Sequence, residues 1–413
     1  MKKYWKVIAL VLFSVITISS FYVQKALANT TSPEYTIETR SGDATYIKDM
    51  ILSGDVNNEE NMYWDFVQIS TEGTKASEDF SFNEQLDYIY TYSPEIQTMY
   101  HEHPSFLRDK SVSANLYYED EASIVFVDTY TEDYNLPYEQ MEIALLDKKT
   151  NDETQMIVDI PEYEKYDDIY IENVQKSGEE VMVFTVNYFD DQQYAELHVY
   201  RVDLATGTVI EDQIIQPAAG ETGADYSSIL LNTLTGPHDS KEERYMIYES
   251  SLKDEQDVDT DEILLSAYDT ASGNLKELTV PNELKELPLY PAMTVHESSI
   301  YYTNAVENGF EVSRFDIEAN EVAETQFVSL PSEVMTNFTS QTYYEEEAFS
   351  TYIDENVIYY VSAVKENSGQ DIAIVAADFN TGKVLYDGKI IDAPEMNESF
   401  KDNLLTIDWI YFN

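Results

Sequence analysis

Short runs of Val, Ile, Tyr, Phe and Thr, broken by polar residues, recur along most of the chain. Examples are the segments 123–130, 180–188 and 356–364, each flanked by Asp, Glu, Asn or Gly. Alternation with a period of two residues over such lengths predicts half-buried β-strands. Helical periodicity is scarce, and the two best helix candidates, 281–287 and 331–337, are short segments that open with a proline. The pattern therefore predicts an all-β protein.

Several of these strands end on an aspartate that is followed, four residues later, by a glycine or an asparagine. The pairs are Asp147 with Asn151, Asp203 with Gly207, Asp269 with Gly273, Asp316 with Asn320, and Asp378 with Gly382. Glycine and asparagine tolerate the positive φ of a tight turn, and the aspartate can accept hydrogen bonds from the turn amides. A weaker copy ends on Gly73 and lacks the aspartate. We predict structural turns at Gly73, Asn151, Gly207, Gly273, Asn320 and Gly382.

The recurring hairpin resembles the outer half of a β-propeller blade of the quinoprotein-like or YVTN-repeat-like kind. The resemblance covers most of residues 45–413 and implies a propeller of about six blades. The tryptophan docking motifs of quinone-binding dehydrogenases are absent, because Trp5, Trp64 and Trp409 are the only tryptophans, so no quinone cofactor is carried over. A pair of β-sandwich domains is the alternative, since hairpins recur there as well.

The C-terminal segment 403–412 also alternates between apolar and polar residues and is typical of a strand. Left unpaired, it would be an exposed apolar edge, which proteins avoid. We therefore expect it to pair with the N-terminal blade, so that the N- and C-terminal strands close one blade.

The first 28 residues have the features of a secretory signal peptide. Three lysines among the first six residues precede an apolar run over 7–23, and Ala26-Leu27-Ala28 fits a cleavage site. An uncleaved N-terminal anchor is the alternative, because an apolar run of this length reaches the lower limit for a bilayer span. The pattern predicts export to the extracellular space or the outer face of the cell envelope. Residues 29–413 would then form a single domain without membrane insertion after cleavage.

Charge and cysteine content exclude several classes of function. The chain has 24 Lys and Arg against 79 Asp and Glu, a formal net charge of −55, which repels nucleic acid. We expect a cationic or neutral envelope component or protein as the partner. The chain has no cysteine, which excludes disulfides, cysteine-ligated zinc, iron–sulfur clusters and thiol catalysis.

Two segments are weak candidates for metal sites. His101 and His103 flank one residue and could share a transition metal if a third ligand joined them, although exposed loop histidines are the alternative. Asp257, Asp259 and Asp261 alternate as in a calcium loop, but Glu262 stands where an EF-hand needs glycine. A solvated acidic hairpin tip is the alternative there. Weakly bound calcium is the only cofactor that the sequence suggests.

Motifs of common enzymes are missing. The chain has no Gly-x-Ser-x-Gly, no phosphate-binding Gly-x-x-x-x-Gly-Lys and no Gly-x-Gly-x-x-Gly, and we assign no catalytic residue. The sequence therefore predicts an exported, non-catalytic binding or scaffolding module of the bacterial cell envelope or extracellular space. The alternative is a calcium-assisted hydrolase or lyase that uses carboxylates in the propeller channel.

Overall fold

The structure is a computed structural model, and it does not describe every residue. The described residues are 6, 12–17, 19–20, 32–58, 63–81, 84–85, 89, 93–130, 139–189, 194–216, 225–230, 242–253, 259–285, 293–339, 349–354, 356–362, 364–365, 371–394, 396, 400 and 403–412. Most of the predicted leader, with its cleavage position after Ala28, lies outside them, so export stays a prediction. Within the described part, no helix has the length and apolar character needed to cross a membrane.

The described part of the chain is predominantly β and forms six antiparallel sheets, which we number I to VI. Sheet I contains, in spatial order, β23 (Val364–Lys365), β26 (Leu404–Phe412), β2 (Met50–Asn58), β3 (Tyr63–Ser70) and β4 (Gly73–Ala76). Sheet II contains β5 (Tyr117–Glu119), β6 (Ser123–Tyr130), β7 (Gln140–Asp147) and β8 (Glu153–Asp159). Sheet III contains β9 (Asp168–Ser177), β10 (Glu180–Phe189), β11 (Tyr194–Asp203) and β12 (Thr208–Gln216).

The remaining sheets repeat the same four-stranded meander. Sheet IV contains β13 (Asp225–Leu230), β14 (Tyr245–Lys253), β15 (Asp259–Asp269) and β16 (Asn274–Leu278). Sheet V contains β17 (Met293–His296), β18 (Ser299–Val306), β19 (Gly309–Asp316) and β20 (Glu321–Ser329). Sheet VI contains β21 (Phe349–Asp354), β22 (Val357–Ser362), β24 (Ile372–Asp378), β25 (Lys383–Asp392) and β1 (Tyr35–Gly42).

Helices are short and lie between the sheets in sequence. After residue 32, the α-helices whose bounds the structure describes are α1 (Pro94–Glu102), α2 (Pro104–Leu107), α3 (Asn282–Lys285) and α4 (Ser332–Thr339). Single 3₁₀ turns cover Ala44–Ile47, Ser77–Asp79, Ala114–Leu116 and Tyr163–Lys165. The helices α3 and α4 fall within or next to the two predicted helical segments. The sequence did not predict α1 or α2, where we expected a loop.

The last strand of the chain, β26, joins the first sheet, and the first strand, β1, joins the last sheet. Strand β26 pairs with β2 of sheet I, which confirms the expected pairing of the C-terminal strand with the first sheet. Strand β1 instead pairs with β25 as the fifth strand of sheet VI. Gly54 in β2 makes the β26 pairing possible, because a Cβ at this position would lie 1.8 Å from the Thr406 carbonyl oxygen.

Apolar clusters join each sheet to the next and give the chain a propeller-like all-β arrangement. One cluster joins sheets II and III and includes residues of α1 and α2, and the others join sheet III to IV, IV to V, V to VI and VI to I. Helix α1 links sheet I to sheet II, because Ile96 and Met99 belong to the sheet II cluster while Gln97 Oε1 accepts a 3.4 Å hydrogen bond from Gln68 of β3. Most of the core therefore lies between sheets.

The six turn residues that the motif singles out all have positive φ, from 59° at Asn151 and Asn320 to 124° at Gly73. In the five turns with the aspartate, the amide at the turn residue donates a 2.8 Å hydrogen bond to the aspartate carbonyl, as in Gly207 to Asp203. The Asp203 carboxylate accepts a further bond from the Thr206 amide, which lowers the pKa of Asp203. These turns share one local geometry.

The turns also contact the sheet that precedes them. Asn320, in the turn of sheet V, accepts a 2.8 Å hydrogen bond from the Thr279 amide just after sheet IV, and Lys276 of β16 donates to the Ile317 carbonyl at 2.8 Å. A turn that hydrogen-bonds to the preceding sheet can thus hold the two sheets in a fixed relative position.

Candidate functional site

A cleft of about 510 Å³ lies between sheet I and α1. Its walls come from the start of β2, the turn between β3 and β4, and one side of α1, with Tyr411 of β26 at the back. This volume is within the range of small-molecule sites in proteins. The cleft is therefore the strongest candidate for a functional site in the described part of the chain.

Helix α1 forms one wall because its sequence is amphipathic over a short length. Pro94 occupies the first turn, where its missing N–H costs nothing, and Ile96 and Met99 are fully buried one turn apart. The residues between them, Gln97 and Thr98, then face the cleft. The polar side of the helix thus lines the cleft, and its apolar side anchors the helix in the core.

The cleft combines uncharged polar groups with charged groups of both signs. Lys48, Lys75 and His101 line it together with Asp49 and Glu72. These five residues are all exposed, whereas Gln68, Ser70, Thr74 and Gln97 lie deeper and are half-buried. In a chain with more than three acidic residues for each basic one, a cleft in which two lysines balance two acidic residues is much less acidic than the chain as a whole.

His101 lies at the rim of this cleft, and a metal site shared with His103 stays a prediction. His101 lies on α1, its side chain is 55% exposed, and its Nε2 is 3.4 Å from Oε1 of Glu84. His103 is the C-cap of the same helix. Side chains two positions apart on a helix are about 200° apart around its axis, which does not favour a shared ion. Among the described residues, no group of three or more His, Asp or Glu side chains could hold a metal.

The acidic segment proposed for calcium is only partly described. Asp257 lies outside the described residues, and Asp259 and Asp261 are in the first half of β15. The calcium hypothesis for Asp257, Asp259 and Asp261 therefore stays a prediction.

A second group of polar side chains lies in sheet III, on the face that packs toward sheet II. His198 of β11 is 1% exposed, and its Nδ1 lies 2.7 Å from Oδ1 of Asp212 on β12. Its Nε2 lies 3.2 Å from Oε2 of Glu196 and 3.1 Å from the hydroxyl of Tyr166. The Tyr166 hydroxyl donates to the same Glu196 oxygen at 2.8 Å, and the Tyr200 ring stacks on His198 at 5.3 Å. We call these five residues the His198 network.

Neighbouring polar groups complete this network. Asn187 donates to the Tyr200 hydroxyl at 2.7 Å, and the Thr185 hydroxyl donates to Asn187 at 2.7 Å. Burial, followed by the hydrogen bond to Glu196, raises the pKa of Tyr166, and burial, followed by the charge of Asp212, raises that of Tyr200. Asp212, with a side chain 24% exposed, is the most accessible member of the five. The closed geometry suits a structural link between strands better than contact with a substrate.

Burial is the main influence on the carboxyl groups of two further glutamates, whereas Glu196 is held by hydrogen bonds. Burial raises the pKa of Glu249 on β14 to about 7, and it raises the pKa of Glu243, just before β14, to about 7 as well. Desolvation disfavours the charged carboxylate in both cases. No sequence pattern singles out either residue among the 79 acidic residues.

Comparisons with known proteins assign no family. No protein-family model and no curated protein matches the chain. Solved structures do match at low similarity. A prolyl endopeptidase has 14% identity and a TM-score of 0.32 over 64% of this chain, which spans 32% of that enzyme's chain. Porphyromonas gingivalis dipeptidyl peptidase 4 has 10% identity and a TM-score of 0.33, with coverages of 81% and 43%. Acylaminoacyl peptidase has 10% identity and a TM-score of 0.33, with coverages of 84% and 45%.

These matches contradict the predicted function. We expected an exported, non-catalytic binding or scaffolding module, with a calcium-assisted hydrolase or lyase as the alternative, whereas the matched proteins are peptidases. That prediction was wrong, and its physical basis was weak, because missing motifs and a large negative charge do not define a site. The chain spans less than half the length of these three peptidases, and TM-scores near 0.3 transfer no activity to it.

Proposed function

We propose that the chain recognises a small polar molecule in the cleft between sheet I and α1. The observation that carries the proposal is the cleft itself, with its volume of about 510 Å³ and its lining of amides, hydroxyls and charges of both signs. Ligand sites are concave and place a few polar groups so that they converge on one molecule. The proposal differs from the prediction made from the sequence in the place of the site and in the size of the partner.

The surroundings of the cleft favour a preformed site. Its floor rests on Met50 of β2, which is fully buried, and Tyr411, whose hydroxyl accepts a 3.4 Å hydrogen bond from Ser53. Its other wall, α1, is anchored by Ile96 and Met99. Rigid walls reduce the conformational entropy that a ligand must overcome on binding.

A ligand screen with two matched variants tests the proposal. Thr98 is exposed on α1 and lines the cleft, so Thr98→Trp should fill part of its volume. Glu102, exposed at the end of the same helix and not a lining residue, provides the control Glu102→Trp. We expect ligand-observed NMR with a panel of small acids, amides and sugars to find saturable binders that Thr98→Trp loses and Glu102→Trp keeps. Binders that ignore Thr98→Trp, or a panel with no binder at millimolar concentration, would disprove the proposed function.

We also propose that the six sheets are the blades of one closed six-bladed propeller. The support is the cyclic order of the sheet contacts and the pairing of β26 with β2 and of β1 with β25. In such a ring both terminal strands would act as closures, one in sheet I and one in sheet VI. Deletion of residues 404–412 should then prevent cooperative unfolding, whereas a persistent single transition in calorimetry would argue against a closed ring.

A further inference from the structure

One carboxylate of the chain lies beside the part of the cleft that carries Lys75 and His101. Glu84 Oε1 lies 3.4 Å from His101 Nε2, and the Glu84 side chain is only 18% exposed. The Ser81 amide donates a 2.7 Å hydrogen bond to the other Glu84 oxygen. Glu84 is therefore a held carboxylate next to two residues that line the cleft, Lys75 and His101.

The electrostatic environment favours the charged form of this carboxylate. Burial acts to raise the pKa of Glu84, but the hydrogen bonds from Ser81 and the positive charges of Lys75 and His101 outweigh it, and the pKa is lowered. Lys75 is itself fixed, because its Nζ lies 3.5 Å from the centroid of the Phe80 ring. The same groups would stabilise a carboxylate from outside the chain.

From this arrangement, which rests on the proposed function, we infer that the ligand of the cleft carries a carboxylate that pairs with Lys75 and His101 in competition with Glu84. Glu84 then acts as an internal partner that keeps the side chains of Lys75 and His101 in place when no ligand is bound. A ligand carboxylate gains the ion pairs only by weakening those of Glu84, so removal of the Glu84 charge should tighten binding. The side chains of Gln68 and Gln97 line the same cleft.

The other charges around the cleft limit the ligand to one strong negative charge. Asp49 and Glu72 are exposed and line the same space as Lys48. They would repel a second carboxylate, and the net charge of the chain adds a long-range penalty that salt screens. A monoanion is therefore favoured over a dianion.

The test uses acetate as the carboxylate probe and acetamide as its neutral match. At constant ionic strength, acetate should shift the ring NMR signals of His101 saturably, and acetamide should not. Glu84→Gln should lower the acetate dissociation constant by at least about fivefold, a modest value for coupling between neighbouring sites. Glu119→Gln is the control, because Glu119 pairs with Lys148 of sheet II. It should leave acetate binding at His101 unchanged.

The outcomes separate this inference from the proposed function. Equal effects of acetate and acetamide, or acetate binding that Glu84→Gln does not tighten, would overturn the carboxylate inference. If neutral compounds still bind in a way that Thr98→Trp abolishes, the proposed function stands while the inference falls. A Lys75→Met variant provides a second test, because it should weaken the binding of acetate more than the binding of neutral compounds.

Discussion

Sheet III presents two faces of different chemistry to its two neighbours, although both faces come from the same strands. Toward sheet IV, β10 and β11 contribute to one apolar cluster the residues Met182, Phe184, Val186, Leu197 and Val199. Toward sheet II, the alternate positions of the same strands include the buried polar residues Thr185, Asn187, Glu196 and His198. One face thus packs by shape, and the other in part by directed hydrogen bonds.

The two faces of sheet III should differ in how well they tolerate mutations. Apolar contacts are non-directional, so a mutation costs roughly in proportion to the volume it removes. A buried hydrogen-bonded group is different, because its loss leaves partners without their bonds, and each such partner carries a desolvation penalty of about 1–3 kcal/mol. The polar face should therefore respond to the chemistry of a substitution more than to its size.

Phe184→Ala should have the largest effect on stability, because it empties the apolar face. Phe184 is 1% exposed and meets the Tyr268 ring of sheet IV edge-on at 5.5 Å. We expect the free energy of unfolding to fall by about 3–5 kcal/mol, measured by urea denaturation. Phe184→Leu, which keeps most of the volume, should lose far less. Equal losses for the two variants would mean that this face does not depend on packed volume.

His198→Leu keeps the size of the side chain and removes its polar contacts, so it examines the opposite face. We expect a loss of about 3 kcal/mol, because Asp212, Glu196 and Tyr166 all lose a partner. His296→Leu, at the half-buried end of β17, is the control. In a double-mutant cycle with Asp212→Asn, a coupling energy near zero would contradict the view that the network acts as a unit.

Glu249→Gln tests a carboxyl group whose pKa is raised by burial. Glu196, by contrast, is held by hydrogen bonds. Because burial raises the Glu249 pKa to about 7, the folded state binds its proton more tightly than the unfolded state. The stability that proton binding by Glu249 contributes to the folded state is fully present below about pH 4.5 and is lost as the pH rises through about 7. Relative to native protein, the variant should gain about 2 kcal/mol at pH 8 and nothing near pH 4.

The control for that prediction is Glu321→Gln, at an exposed position of β20. It should give the same stability difference at both pH values. A gain in stability from Glu249→Gln that is independent of pH would show that titration of the buried carboxyl is not the source of the gain.

Much of the fold follows from short-range sequence signals. The pairs Asp203 with Gly207 and Asp316 with Asn320 indicate their turns because the hydrogen bonds of each turn form within five residues. The pairing of β26 with β2 was predictable for a different reason, namely that an apolar C-terminal strand needs a partner. Local chemistry and the need to cover apolar edges carry these predictions.

Both polar sites were missed because they depend on contacts that no local pattern reports. Asp212 reaches His198 from the neighbouring strand, across a pairing whose register shifts at two positions. The cleft depends on α1, for which the signal was present: Ser93 and Pro94 open it, and Ile96 and Met99 form a buried stripe three residues apart. We gave more weight to His101, His103 and the nearby proline, and so expected a loop.

Two turn glycines show how the contacts between sheets differ at the rim. Gly207 and Gly382 have nearly equal φ, +65° and +66°, so the strain of adding a side chain is the same in both, about 1 kcal/mol. A Cβ at Gly207 would contact only the Met156 side chain of sheet II, with Sδ at 3.6 Å and Cβ at 3.8 Å. At Gly382 it would lie 2.2 Å from the Phe327 carbonyl oxygen of sheet V.

Gly382→Ala should therefore destabilise the protein by about 1 kcal/mol more than Gly207→Ala, because a backbone oxygen in a strand moves less easily than the end of a methionine. Asparagine occupies the same turn position at Asn151 and Asn320 with φ of 59°, so Gly207→Asn should be close to neutral. Calorimetry of the three variants measures the difference. Equal losses for the two alanine variants would mean that sheet VI can move away from sheet V, and that this interface is no more tightly fixed than that between sheets II and III.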